Sequence, residues 1–543
     1  MTWLVVRRVL IVFVILATGG ASLFNLMQVN TSGWNFSPLR RNFSAPKIYS
    51  KVISVTSIGT WRASNRRINL TWVTNPNYTS VTIVNPKPMY QIGDILFIEV
   101  VAKDGNRRRK LYGGDYLQAV LRDNAQTAST KGRVQDHGNG LYTVSFILSF
   151  TGNVMPQVQL IHSSEAVQLL KELREIPNKR RWSCRFKDEG EDVTTTCTIL
   201  PSRTLSSSSQ CDFSVLNTGR TWFCQKPNTT TCDNIKMCKS ARDIVDELVT
   251  SEERQLFERP FWNTDLVTDI NGTISVREAD ENRTVMHSFP FCKPGIPHKH
   301  PEGFWLHGKW HSLSCQVRQF SPQNVTECLT NHTVHVRGDS TCRQWVERLV
   351  KWKVVQRGAG NSLIGPYTAT NHSRGIMVTF NFHTLPIQTG SWFPFRNLSE
   401  SGISVEVRSM AGGPNVVLVL SLCAHFVAEP KHVYSSRMIE VKLAIQELHR
   451  KYPKTKVIVK TCNTRSHRSY RSVVQQSDWL AQQIDHEMRS ILGDLNVAIL
   501  DVWDMTVSQW YPHNIHPNQH VQDNELNILM SYICPEMLTN IEQ

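Results

Sequence analysis

The chain has 543 residues, which is enough for about three domains with sizeable cores. Its formal net charge is +15 and its pI is about 9.3, a balance that favours acidic partners such as nucleic acid, anionic membranes or acidic glycans. The basic residues are scattered and no nucleic-acid-binding motif surrounds them, so nucleic acid is not an expected partner.

The N-terminus predicts the compartment. Arg7 and Arg8 precede the segment 9–29, which contains no ionised side chain and is close to the ~20 residues that span a bilayer. Arginines on that flank hold the N-terminus in the cytoplasm and place the rest of the chain in the lumen. We therefore expect segment 1–29 to be the signal-anchor of a type II Golgi membrane protein. The alternative is a cleaved signal peptide and a secreted protein.

Sequons and cysteines also favour a luminal chain. Twelve N-x-S/T sequons are present, together with thirteen cysteines. Six cysteines crowd into 184–238 and predict three disulfides rather than a zinc site, because no paired C-x-x-C units occur there. An odd total leaves at least one cysteine without an intrachain partner, and we expect a free thiol at Cys423, which lies in the apolar run 416–426.

Strand-like segments follow a polar stem. The segments 81–86, 94–102, 116–122 and 141–150 are separated by turn sequences, as in an antiparallel sandwich. The turn Asp-His-Gly-Asn-Gly, followed by Tyr-Thr-Val, resembles the hairpin of filamin-like, immunoglobulin-type modules. The predicted organisation is a signal segment at 1–29, a stem at 30–50, an immunoglobulin/filamin-like β-sandwich at 51–180, a disulfide-rich unit at 181–240, a connector at 241–304 with bridges among Cys292, Cys315 and Cys328, and an α/β domain at 305–543.

Strands and helices alternate from about residue 305. The run 416–426 is wholly apolar, as expected for a parallel strand buried on both faces. The pattern predicts a doubly wound, three-layer α/β domain, whose functional residues lie at the carboxyl ends of the strands. Its predicted strands are 334–338, 377–383, 416–426, 456–461 and 496–503, and its predicted helices are 343–353, 435–452, 476–492 and 525–533.

The tripeptide Gly338-Asp339-Ser340 is the candidate nucleophile motif. It lies between a predicted strand and a predicted helix, where a serine hydroxyl can attack a carbonyl and free N–H groups can hold the oxyanion. Alone, such a motif is more often an N-cap. The loop before the last helix supplies a candidate general base, His516, and Asp504 is the candidate orienting carboxylate, with Asp501 as the alternative.

These motifs resemble a known family. GDSTCRQW, the apolar run ending in His425-Phe426, and DVWDMT…HNIHP…SYIC are similar to the neurexophilin and PC-esterase domain family, and 52–240 is similar to its neurexophilin half. The resemblance implies an SGNH-hydrolase-like fold and a luminal acyltransferase or esterase acting on glycans, with sialic acid O-acetylation as the expected reaction. It carries Ser340 as nucleophile and His516 as base, and it puts His425 near the oxyanion site.

Two departures from the family pattern favour an alternative function. The position three residues before the catalytic histidine, an aspartate in the broader group, is His513, and Cys423 stands where glycine is usual. Loss of an orienting acid or an oxyanion donor costs orders of magnitude in rate. The alternative is therefore a catalytically weak or inactive glycoprotein that acts as a neurexophilin-like binding module.

The remaining candidate residues are expected to surround the site. Gly338, Asp339, Cys423 and His425 are expected around the oxyanion and substrate site, and Arg343 either clamps a substrate carboxylate or is a solvated helix residue. No metal and no tightly bound cofactor is expected, and an acyl donor such as acetyl-CoA would be a substrate. The expected partners are a glycan or glycoprotein substrate, a protein ligand of the N-terminal domain, and the membrane through the N-terminal anchor.

Overall fold

Alternating apolar residues fold the first part of the described chain into two packed β-sheets. In the strand Ile95–Val101, Leu96, Ile98 and Val100 are fully buried, whereas the intervening Phe97 is exposed. The buried set shares one core with Leu117, Ala119 and Leu121 of the facing sheet. This is a sandwich of mainly antiparallel strands, and its likeness to immunoglobulin or filamin modules stays a prediction.

The two sheets have the following spatial order. The four-stranded sheet contains Ser80–Ile83, Ile95–Val101, Leu141–Ile147 and Arg133–Asp136. The larger sheet contains Lys309–Ser312, Gly303–Leu306, Ala128–Lys131, Tyr116–Asp123, Gly152–His162, Ile274–Arg277 and Tyr90–Gln91, and Trp262–Asp265 also pairs with Gly152–His162. Only glycine fits the end of the predicted hairpin turn, because Gly140 has φ +76° and a Cβ there would come within 2.2 Å of the Lys110 carbonyl.

A third sheet is built around the cysteine cluster. Its strands, in spatial order, are Gln210–Asp212, Phe223–Gln225, Asp192–Thr198, Trp182–Lys187, Ile235–Ser240 and Phe393–Pro394. The six clustered cysteines form three disulfides, Cys184–Cys238, Cys197–Cys224 and Cys211–Cys232. The pairing removes these thiols as zinc ligands.

Three further disulfides correct the predicted thiol. Cys292 pairs with Cys315, whereas Cys328 pairs with Cys534 at the end of the chain. The prediction that Cys423 is free is wrong, because it is bonded to Cys462. Cys342 is the buried free cysteine.

The last sheet has a parallel centre. In spatial order its strands are Gln356–Arg357, Tyr367–Asn371, Ile376–Phe382, Thr333–Gly338, Val416–Ser421, Lys456–Lys460 and Ala498–Leu500, and the five from Ile376–Phe382 onward are parallel. The strand Val416–Ser421, the middle one of the five parallel strands, is buried on both sides: Val417 and Val419 belong to the core beneath helix Ser340–Lys351, and Leu418 and Leu420 point the opposite way. The carboxyl ends of these strands therefore meet at one edge.

Helices flank this sheet, and polar caps fix several of their starts. Asp339, Ser477 and Asn518 each accept a backbone N–H in the first turn of the helix that follows. The helices of the described chain are Ser164–Arg174, Val245–Leu248, Ser251–Gln255, Pro322–Leu329, Ser340–Lys351, Ile403–Ser409, Lys431–Lys451, Tyr470–Gln476, Asp478–Leu492, Trp503–Ser508 and Gln519–Ile533.

The structure, a computed structural model, describes residues 68–187, 192–241, 243–267, 270, 272–279, 289–359, 363–395, 402–511 and 514–537. The predicted signal-anchor 1–29 and stem 30–50 lie outside these ranges. Within them, no helix is long and apolar enough to cross a membrane.

Sheet pairing crosses the predicted boundary at 304/305. The strand Gly303–Leu306 contains this boundary and pairs with Ala128–Lys131 of the sandwich. Phe393–Pro394 likewise pairs with Ile235–Ser240 of the disulfide-rich part. The parts of the chain from Arg67 onward therefore form one compact unit.

Candidate active site

Ser340 lies at the turn where the central strand Thr333–Gly338 becomes a helix. It is the first residue of helix Ser340–Lys351, so its N–H has no acceptor within that helix. Its Oγ lies 2.7 Å from Nε2 of His516, a hydrogen bond that joins residues 176 positions apart. The structure thus brings the two main candidate residues into the contact that nucleophile activation needs.

Gly338 permits the close packing that exposes this turn. A Cβ at Gly338 would lie 2.6 Å from both the Ser421 carbonyl oxygen and the Cys342 sulfur. The neighbouring strand and the helix therefore both approach the backbone here, and a larger residue would displace one of them. The absence of a side chain at Gly338 therefore allows the strand and the helix to pack closely at the turn.

His516 is placed by a short loop before the last helix. Its backbone N–H donates to Asn514 Oδ1 at 3.0 Å, and its ring is half-buried. Burial lowers the pKa of His516 below its ordinary value of 6.5, and the nearby charge of Arg343 lowers it further. The imidazole is therefore neutral at neutral pH and able to accept the Ser340 proton.

No described residue forms a hydrogen bond with Nδ1 of His516. The prediction that Asp504 orients this ring is wrong, because both oxygens of Asp504 have other partners. Oδ1 forms a 2.8 Å ion pair with Lys131, and Oδ2 accepts the Glu302 N–H at 2.9 Å. Asp504 lies in helix Trp503–Ser508 rather than directly after a strand, which turns it toward the sandwich.

Asp501, the alternative carboxylate, also interacts with residues other than His516. Its Oδ2 pairs with Arg489, and its Oδ1 accepts the Trp503 N–H at 2.9 Å. Within the described ranges the site is therefore a serine–histidine pair rather than a triad.

Asp339 organises the turn from the position before Ser340. Its Oδ1 accepts both the N–H and the hydroxyl of Thr341, at 2.8 and 2.7 Å, and its Oδ2 accepts the Ala424 N–H at 3.2 Å. Burial alone would raise the pKa of Asp339, but the nearby charge of Lys460 and the hydrogen bonds from Thr341 help to lower it. The ionised carboxylate joins the serine turn to the loop after the neighbouring strand.

That neighbouring loop, residues 422–430, contains Cys423 and His425. The predicted strand 416–426 ends at Ser421, so His425 lies in the loop and not on the strand. His425 Nδ1 accepts the Gln388 N–H at 2.9 Å, and burial lowers the pKa of His425 to about 4. His425 is thus a neutral, hydrogen-bonded residue beside the site.

Arg343 lies one turn along the helix from Ser340. Its Nε donates to Glu347 at 2.8 Å, and its Nη1 donates to the Leu363 carbonyl at 3.0 Å. The side chain is largely covered and paired, yet close enough to His516 to lower the pKa of that ring. Its role in clamping a substrate carboxylate stays a prediction.

The sequence analysis missed a group of residues after the strand Lys456–Lys460. Lys460, Asn463 and Arg465 line a narrow cleft together with Asp339 and Thr341. The buried Lys460 Nζ donates to Asn463 Oδ1 at 3.3 Å. The signal that could have found them is their position, since functional residues lie at the carboxyl ends of parallel strands.

His383 also escaped the sequence analysis. It follows the strand Ile376–Phe382, is fully buried, and has no hydrogen-bond partner at either ring nitrogen among the described residues. Its ring lies 5.3 Å from that of His425 and 5.1 Å from that of Phe426. The His383 ring therefore packs against the rings of the loop 422–430 without forming a hydrogen bond to the described residues.

Family models match two parts of the chain. The neurexophilin model matches residues 78–256, and the model of the NXPE family member 4-like C-terminal domain matches residues 310–534. The second match contains Ser340, His516 and the whole parallel sheet.

Solved structures give weaker similarities. A GDSL-like lipase from Bacteroides thetaiotaomicron is 10% identical, over 40% of this chain and 95% of that one, with a TM-score of 0.25. An active-site mutant of a family two carbohydrate esterase from Clostridium thermocellum is 9% identical, over 86% of this chain and 97% of that one, with a TM-score of 0.20. These TM-scores are too low to show a shared fold, so the family assignment rests on the two family models. Because they match in sequence order and together cover most of the chain, the protein belongs to the neurexophilin and PC-esterase domain family.

Proposed function

We propose that this chain is a luminal, serine-dependent acyltransferase or esterase acting on the glycans of glycoproteins, with O-acetylation of sialic acid as its reaction. The observation that carries the proposal is the 2.7 Å contact between Ser340 Oγ and His516 Nε2 at the carboxyl edge of a parallel sheet. Such a contact gives a hydroxyl the general base that it lacks by itself.

The proposed reaction has two acyl-transfer steps. His516 takes the Ser340 proton as Oγ attacks the carbonyl carbon of an acyl donor such as acetyl-CoA. The tetrahedral intermediate collapses, and the leaving group departs with the proton from His516. A sugar hydroxyl or water then attacks the acyl-enzyme, and His516 passes the proton of this acceptor to the released Ser340 oxygen. The free N–H of Ser340 is a donor for the oxyanion.

The location is part of the proposal. Six disulfides fit a chain that matures in the oxidising secretory pathway. We propose that segment 1–29 anchors the protein in the Golgi membrane as a type II protein, which would expose the site to glycoproteins in transit. The neurexophilin region is then available for a protein ligand.

Mass spectrometry of released sialic acids tests the reaction. Cells lacking endogenous activity would express the wild-type chain, Ser340→Ala, or the matched control Ser164→Ala. Ser164 is also the half-buried first residue of a helix, but its hydroxyl contacts Glu165 and no histidine. An O-acetyl gain with wild type and the control, absent from Ser340→Ala, supports transfer to sialic acid.

Two other outcomes would change the conclusion. A serine-dependent loss of existing O-acetyl groups would make the protein an esterase. Equal O-acetyl levels with wild type and Ser340→Ala, at matched expression and location, would contradict the sialic acid reaction. That result would favour the second candidate, a binding module, which the absence of a carboxylate at His516 Nδ1 among the described residues already favours over a full triad enzyme.

A further inference from the structure

A buried arginine from the neurexophilin region reaches the loop beside the candidate active site. Nη1 of Arg180 donates to the His425 carbonyl and to Glu429 Oε1, both at 3.0 Å. The side chains of Arg180 and Glu429 are only 5% and 3% exposed. Residue 180 lies within the neurexophilin match, and both acceptors lie within the C-terminal match, so this contact crosses between the two family regions.

Burying these two charges is costly unless the geometry is well satisfied. Burial lowers the pKa of Arg180, and the charge of Glu429 opposes that shift. The guanidinium also lies 5.5 Å from the ring centroid of Trp182, which supports its flat group. Replacing a buried ion pair by apolar residues of similar size is often neutral or stabilising, so packing alone does not explain this pair.

The loop that Arg180 holds, residues 422–430, is connected directly to the serine turn. Its Ala424 N–H donates to Asp339 Oδ2 at 3.2 Å, and Asp339 immediately precedes Ser340. Cys423, Ala424 and Val427 of the same loop line the cleft that Asp339 shares. A shift of this loop therefore changes the hydrogen bonding at the turn that presents Ser340.

We propose that Arg180 is a positioning residue for Ser340: it fixes loop 422–430, and the loop fixes Asp339 and the turn. This inference rests on the proposed acyl-transfer function. It gives the neurexophilin region a part in catalysis through its contact with the loop.

The full-length double variant Arg180→Met, Glu429→Met tests the proposal without leaving a lone buried charge. The readout is kcat and KM for the hydrolysis of p-nitrophenyl acetate, together with Tm. We expect kcat to fall about tenfold or more with KM nearly unchanged, while Tm stays near that of the wild type, since small misplacements of reacting groups are costly in rate. The matched control is Arg185→Met, an exposed arginine on the adjoining strand whose 3.5 Å ion pair with Asp192 is remote in sequence from the loop.

A double variant that folds and has the wild-type kcat would overturn the proposal. If the double variant does not fold, Arg180→Lys provides the same test, because it keeps a positive charge beside Glu429 but loses the guanidinium whose Nη1 donates to both acceptors. Its expected result is a kcat several-fold lower at an unchanged Tm, and an unchanged kcat would overturn the proposal. Complete inactivity of the wild-type chain would instead contradict the proposed function itself.

Discussion

At the scale of single residues, the site works as a pair. Ser340 and His516 meet at 2.7 Å, and the described residues provide no carboxylate for the outer nitrogen of the imidazole. In triad enzymes, replacing that carboxylate lowers the rate by about 10⁴-fold. We therefore expect a slow enzyme, in which the turn formed by Gly338 and Asp339 and the oxyanion donors carry much of the remaining rate.

The acid limit of activity should lie below pH 6.5. Burial first, and then the charge of Arg343, lower the pKa of His516, so the base stays neutral as the solution is acidified through its ordinary value. The pH dependence of kcat/KM for p-nitrophenyl acetate reports this pKa in the free enzyme. In Arg343→Gln the midpoint should move upward, whereas Arg174→Gln, a control in helix Ser164–Arg174, should leave it in place. A wild-type midpoint at or above 6.5 would contradict the assignment.

His383 should make the fold sensitive to acid. Burial lowers the pKa of His383 well below 6.5, so below that pH the unfolded chain binds a proton that the folded chain does not. Its stabilising contribution is full above pH 6.5 and is lost as pH falls, by ~1.4 kcal/mol per pH unit. Relative to wild type, His383→Phe should therefore gain stability as pH falls below 6.5.

Thermal unfolding at several pH values measures this gap. The Tm difference between His383→Phe and wild type should shift in favour of the variant as pH falls. His137→Phe, at an exposed turn, is the control substitution. A constant gap for His383→Phe would show that this ring is protonated, or exposed, in the folded protein.

At the scale of elements, the disulfide Cys423–Cys462 ties together the segments after two adjacent strands. Both segments line the cleft beside the serine turn. Its sequence separation is 39, against 23 for Cys292–Cys315, which lies outside the parallel sheet. In the chain-entropy picture the two links contribute similar stability, about 4 and about 3 kcal/mol.

Comparing the disulfides Cys423–Cys462 and Cys292–Cys315 separates an effect on stability from an effect on catalysis. Replacing both cysteines by serine in either disulfide should lower Tm by a comparable amount. Of the two, only Cys423→Ser, Cys462→Ser should also lower kcat, because the Cys423–Cys462 disulfide holds the loop whose Ala424 N–H donates to Asp339. Equal kcat in the two folded double variants would mean that Cys423–Cys462 is merely a structural link.

Much of the element pattern is predictable because it depends on local periodicity. The predicted helix 435–452 matches Lys431–Lys451, and the predicted strand 377–383 matches Ile376–Phe382, each within a few residues. The helix predicted at 476–492 begins at Asp478, since Ser477 caps it and separates it from Tyr470–Gln476. These outcomes follow from side-chain spacing and capping groups, which a sequence contains.

Long-range contacts account for the errors. The apolar run 416–426 is only half strand, because the stretch after Ser421 is a buried loop that contacts His383 and Arg180. The predicted strand 496–503 would put Asp504 directly after a strand end, but the strand stops at Leu500 and a short helix follows. The partner of Cys423 lies on another strand end, and no spacing in the sequence reveals it. Ser340 and His516 could be proposed because their order along the chain is informative by itself.

At the scale of the whole molecule, the sandwich and the parallel sheet fold as one body. Ser129 Oγ donates to the Ser508 carbonyl at 2.6 Å, and Lys131 pairs with Asp504 at 2.8 Å. A chain cut at residue 305 would divide the strand Gly303–Leu306 and expose these polar groups. Sheet edges left unpaired in this way promote aggregation.

Secretion of two fragments tests whether the sandwich and the parallel sheet fold as one body. Behind the same signal peptide, residues 305–543 alone should be retained or aggregated, whereas residues 67–543 should be secreted in a folded form. The assay is the amount of monomeric protein in the medium, followed by limited proteolysis. A secreted, protease-resistant and active 305–543 fragment would contradict both this prediction and the positioning role of Arg180.

The most direct test of the central claim is covalent labelling of Ser340. Folded wild-type protein, His516→Gln and Ser340→Ala would be treated with a fluorophosphonate and measured by intact-protein mass spectrometry with peptide mapping. We expect one adduct on Ser340 in the wild type, a rate at least ~100-fold lower in His516→Gln, and none in Ser340→Ala. No adduct on Ser340 in the folded wild-type protein, or equal labelling of wild type and His516→Gln, would contradict the claim that His516 activates this serine.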